Sequence, residues 1–126
     1  MGWNRRALGL GICIGLLASG SQAGEVRVVD ADVVRSGDGS YRFDVTLRHG
    51  DEGWDHYANQ WQIVAPDGQV LGTRTLLHPH VNEQPFTRSL GGVRIPPGVD
   101  HVDVMARDSK HGIGGKPFRV LIPNRP

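Results

Sequence analysis

The residues best suited to chemistry in this 126-residue chain are its six histidines. Five of them, His49, His56, His78, His80 and His111, fall in three polar stretches: residues 49–57, 78–85 and 109–115. His101 stands apart. Neutral imidazole is a common ligand for Zn, Cu and Ni. The sharpest pair is His78 and His80. In an extended chain, side chains two apart face the same way, roughly 6–7 Å from each other. Pro79 favours that conformation at His78. A polyproline-type path would splay the two rings, because it has three residues per turn. His56 and His111 could complete the ligand set from neighbouring loops. Asp55, Glu83 and His49 are candidates for a further ligand, or for a group that orients an imidazole. One Cys and two Met argue against a soft Cu(I) site and favour Zn(II) or Cu(II) as cofactor. Affinity should then fall as pH drops through about 6.5, since a ligating imidazole must be neutral. The ordinary alternative is a set of solvated loop histidines with no bound ion.

Whether these loops meet depends on the elements between them. No helical stripe is present. Short strands alternate with turn signals every 8–12 residues or so, the pattern of an all-β sandwich or barrel. Residues 25–35 are rich in Val, and the alternation slips near Val28 and Val29, which predicts a bulge or a strand that switches sheets. Residues 41–48 place Tyr41, Phe43, Val45 and Leu47 on one face and Arg42, Asp44, Thr46 and Arg48 on the other. Further strands are expected over 58–65, 70–77, 86–95, 101–108 and 118–122. Pro66-Asp67-Gly68-Gln69 makes a hairpin turn, Gly91-Gly92 a kink, and Pro96-Pro97-Gly98 a break. If seven strands run alternately up and down, the three His-bearing loops share one end and His101 lies near the other.

The N-terminus reads differently. Arg5 and Arg6 precede an uncharged apolar stretch at 7–18. Small and polar residues then end in Ser21-Gln22-Ala23. This is the layout of a secretory signal peptide over 1–23, cleaved after Ala23. Its apolar run of about 12 residues is shorter than the roughly 20 that a spanning helix needs. Removing it takes away Arg5, Arg6 and Cys13, leaving 12 basic and 13 acidic residues in a domain of 24–126. The mature chain is then net −1, with no basic cluster for nucleic acid and no disulfide. The expected location is periplasmic or secreted, with no membrane contact after signal cleavage.

Trp61, inward on the third strand, and Val102-Asp103-Val104-Met105-Ala106-Arg107-Asp108-Ser109 before a glycine-rich loop resemble immunoglobulin-like and fibronectin-type-III-like domains. The resemblance implies a seven-stranded antiparallel sandwich whose binding loops gather at one end. It departs from the pattern in lacking a Cys pair and a Tyr on the sixth strand. The run HPHVNEQPFTRSLGGVRIPPG, 78–98, is similar to a string in small exported bacterial proteins of unassigned function. That likeness supports export and implies no activity.

Other motifs are less specific. The segment 111–116 has the glycines of a phosphate cradle without the spacing or the helix of a P-loop. Asp108, Ser109 and His111 offer nucleophile and base types, but adjacency in sequence is not triad geometry. A metal-dependent hydrolase or redox activity has no further motif behind it. Trp54 and Tyr57 border the same loops. If exposed they form a rim for a protein or glycan partner, and if buried they close the core. Arg88 is expected to pair with a loop carboxylate such as Glu83 or Asp55. The chain is therefore expected to be an exported binding module rather than an enzyme. The alternative is a metal-free module that meets a periplasmic protein or a glycan with the same loops.

Overall fold

A computed structural model describes residues 25–123. The export segment expected over 1–23 lies outside the described residues. The seven strands are β1 (Arg27–Arg35), β2 (Tyr41–Arg48), β3 (Ala58–Val64), β4 (Val70–Thr75), β5 (Phe86–Val93), β6 (His101–Asp108) and β7 (Gly112–Leu121). One sheet has the order β1-β2-β5 and the other β4-β3-β6-β7, with every pairing antiparallel. Among the described residues there is no helix, and so none long and apolar enough to cross a membrane.

The two sheets enclose one apolar core, and strand periodicity decides who enters it. Tyr41, Phe43, Val45 and Leu47 point inward from β2, and Val102, Val104 and Ala106 from β6. Trp61 and Ile63 fill the space between from β3 and are fully buried. A side chain of the size of Leu or Phe contributes about 1.5–3 kcal/mol when buried, and this set stands in for the absent disulfide.

Irregularities fall where alternation and glycine place them. The β1–β2 ladder skips Val29, where the sequence pattern slips. The β2–β5 ladder shifts across Gly91 and Gly92, the latter at φ +69°. The largest difference from expectation lies in β7. It begins at Gly112 rather than 118, because Gly112, Ile113 and Gly114 pair with Asp108, Arg107 and Ala106. Residues 115–117 bulge out before pairing resumes at Phe118 opposite Val104. The expected glycine-rich loop over 109–115 is therefore a tight turn of Ser109, Lys110 and His111.

The registers bring three connections to one end. Leu47 faces Phe86, Ala58 faces Asp108, and Gln60 faces Thr75. The β2–β3, β4–β5 and β6–β7 connections therefore leave from the same edge of the core. His101 pairs with Leu121 at the opposite end, beside Asp100.

Candidate metal centre

The site grows from the inward phase of two strands continued past the core. Along β2, Tyr41, Phe43, Val45 and Leu47 are buried, and so are the next residues in phase, His49 and Asp51. Along β6, the phase of Val102, Val104 and Ala106 ends on Asp108, which is 1% exposed. The third member, His56, comes from the β2–β3 connection. There the His56 amide donates to the Gly53 carbonyl (3.2 Å) and the Glu52 amide donates to the His56 carbonyl (2.8 Å). Gly53 lies at φ +112°, a conformation that favours glycine. This small turn aims the His56 ring inward.

The three side chains converge. His49, His56 and Asp108 each offer a donor atom, and the three atoms lie within 4.8 Å of one another. His49 Nε2 stands 3.3 Å from Asp108 Oδ2, and His56 Nε2 stands 3.5 Å from the same oxygen. Ligand atoms about 2.0–2.1 Å from a shared ion in a tetrahedral array stand about 3.3–3.4 Å apart. The two spacings to Asp108 Oδ2 match those edges.

The far side of each ring defines its proton. His49 Nδ1 donates to Asp51 Oδ1 at 2.5 Å, and His56 Nδ1 donates to Glu52 Oε1 at 2.6 Å. A carboxylate can only accept, so each Nδ1 carries hydrogen and each Nε2 faces Asp108. Two imidazole lone pairs aimed at one anionic oxygen repel unless a cation lies among them, either protons on the rings or a metal ion. A carboxylate behind each ligating imidazole is also the usual outer partner in metal sites.

Asp108 stays anionic in this setting. Burial opposes its ionisation, but the His111 amide, the His111 ring and the Lys110 amide donate to it and outweigh that cost. Its carboxyl is held down to about 2. The hydrogen bond from His56 likewise holds Glu52 below the usual carboxylate range.

His111 occupies the turn between β6 and β7. Its Nδ1 lies 3.0 Å from Asp108 Oδ2, and its ring meets that of His56 edge-on, with centroids 4.8 Å apart. His49 and His56 also meet edge-on at 4.8 Å. Of the candidates named from sequence, His56, His111 and His49 are thus brought together.

His78 and His80 sit in the β4–β5 connection with their rings 4.6 Å apart. His80 is buried and stacks on Phe86 at 3.9 Å. Its Nε2 accepts from Arg88 (2.9 Å), and Arg88 also pairs with Glu83 at 3.2 Å. Burial, and then the Arg88 guanidinium, push the His80 ring below the ordinary imidazole range. His78 is exposed, and so is Asp55. Asp51 joins the two histidine groups. Its Oδ1 accepts from His49 Nδ1 and the Ala58 amide (3.1 Å), and its Oδ2 accepts from the His80 amide (2.6 Å). Trp54 is 67% exposed and packs edge-on against half-buried Tyr57.

Sequence reasoning passed over Asp108 as a ligand, together with Asp51 and Glu52 as orienting groups. The available signal was phase: an Asp two residues beyond Ala106 continues the inward face of β6, and His49 and Asp51 continue that of β2. A polar side chain on a buried phase calls for a partner.

No family model and no solved structure matches the chain. One relative does, described as "Putative lipoprotein" from Halomicrobium mukohataei. It is 42% identical over 96 residues, which cover 76% of this chain and 47% of the relative. The chain thus spans about half the length of the curated relative it matches.

Proposed function

We propose that this chain is an exported binding module that holds one divalent cation between His49, His56 and Asp108. The observation that carries the reading is the pair of imidazole Nε2 atoms, each backed by a carboxylate, aimed at a single anionic Asp108 oxygen. Two nitrogens and one oxygen suit Zn(II) or Cu(II) rather than a soft ion. Export is supported by the 1–23 pattern and by the lipoprotein description of the relative. The strand orders β1-β2-β5 and β4-β3-β6-β7 support an immunoglobulin-like or fibronectin-type-III-like sandwich, a frame that carries function on its end loops. Lacking a catalytic motif, the module is read as a binder and not an enzyme.

Titration of chelator-treated protein with Zn(II) and Cu(II) tests this. The expected result is one ion per chain, lost in His49→Ala and His56→Ala. Absence of binding in the wild type overturns the reading. N-terminal sequencing of the exported chain is expected to begin at Gly24.

A second reading has its own support, the exposure of Trp54 beside Tyr57. In it the same end is a metal-free contact surface for a periplasmic protein or a glycan. Capture of a partner that survives chelation and is lost in Trp54→Ala would favour it over the metal reading.

A further inference from the structure

The three histidines around Asp108 are not equivalent. The side chain of His49 is fully buried and that of His56 is 9% exposed, and each is clamped at Nδ1 by a carboxylate. The side chain of His111 is 43% exposed. Its backbone is fixed, because Asp108 Oδ1 accepts from the amides of Lys110 (2.8 Å) and His111 (2.5 Å). Its ring is held by one hydrogen bond, from Nδ1 to Asp108 Oδ2, and by its edge-on contact with His56. Among the described residues no group hydrogen-bonds its Nε2. Turning that ring breaks fewer contacts than moving His49 or His56 would, and the turn beneath it stays in place.

The oxygen that His111 touches is the one the other two imidazoles face. An ion bound at Asp108 Oδ2 competes with the His111 hydrogen bond. Once that bond is released, the ring exchanges its proton with solvent onto the exposed Nε2, and His111 Nδ1 becomes a further nitrogen donor beside the ion, on the solvent side. We infer that His111 is the exchangeable ligand of this site, closing over the ion from the turn and opening to let it in and out. This rests on the metal reading above and adds the route of exchange. His49, His56 and Asp108 form the fixed base. His111 forms the face at which an incoming acceptor, offering an imidazole or carboxylate donor, takes the ion by ligand substitution.

The test uses the mature domain loaded with Zn(II) for rates and with Co(II) for spectra. Zn(II) transfer to a chromogenic chelator is followed by stopped flow. His111→Ala, at an exposed turn position, is expected to keep one ion per chain. Its release should quicken by at least the roughly 10–100-fold that loss of an outer partner causes. Its Co(II) visible bands should weaken and shift as water replaces nitrogen. Added imidazole should restore the bands in His111→Ala and leave the wild type unchanged. Unaltered release and Co(II) bands in a folded His111→Ala protein overturn the assignment, while wild-type binding leaves the base site standing. Failure of the wild type to bind either ion overturns both.

Discussion

The two histidine groups at the end of this domain are built from the same residue type and share Asp51, yet their ring nitrogens face opposite charges. Around Asp108, ring nitrogens face an anionic oxygen, and carboxylates stand behind them. Around His80, the ring nitrogen faces the Arg88 guanidinium, and an aromatic ring lies beneath. A donor already in contact with a fixed cation is a poor ligand for a second one, since like charges at short range repel strongly at low dielectric. The difference teaches that histidine count and loop sharing do not define a metal site. The charge of the group that each nitrogen faces does.

The most damaging test of that contrast is Asp108→Ala. It should abolish stoichiometric Zn(II) binding, checked by calorimetry. It should also destabilise the fold, because the Lys110 and His111 amides lose their acceptor. A hydrogen bond to a charged group contributes about 1.5–3 kcal/mol, a loss that a denaturant titration would read. Asp108→Asn keeps the shape without the charge and should bind no better. Tight binding in either variant would break the assignment.

Next in size comes the paired comparison of clusters. His49→Ala/His56→Ala should eliminate binding, whereas His78→Ala/His80→Ala should retain one ion per chain. The reverse outcome would exchange the roles of the two clusters. Smaller again is Asp51→Asn, which removes the carboxylate behind His49 while keeping its bulk. Affinity should fall by roughly 10–100-fold, the usual cost of an altered outer partner. An unchanged affinity would show that the His49 ring needs no such support.

The smallest effect concerns pH and His80. Its ring sits below the ordinary imidazole value, so the unfolded chain takes up that proton first. The stability linked to this group is therefore complete above about pH 6.5 and declines as pH falls below it. His80→Gln should show a shallower decline between about pH 7 and 5.5 than the wild type. Equal slopes in chelator-treated proteins would mean that Arg88 and burial do not govern this ring.

Much of the fold is legible in the sequence because strand alternation is a local property. β2 and β6 are set by period-two patterns, and the slip at Val28-Val29 marks a real bulge. The start of β7 was not legible. Gly112 and Gly114 carry no side chain to declare a face, and their pairing with β6 is a non-local choice. The site was half legible. His56 and His111 stand out by type and by loop. Asp108 looks like an ordinary turn-flanking acid until its buried phase is followed from Ala106.

By itself, the sequence determined an all-β chain with seven strands, loops rich in histidine at one end, and a core without disulfides. Those features follow from residue types and short-range periodicity. Only the tertiary structure decided which histidines face Asp108 and which one faces Arg88. That choice depends on register across two sheets and on side chains up to 62 positions apart, such as His49 and His111, with Asp108 between them in space. A nitrogen becomes a candidate metal ligand through the charge it meets, and that neighbour is supplied by folding rather than by adjacency in the chain.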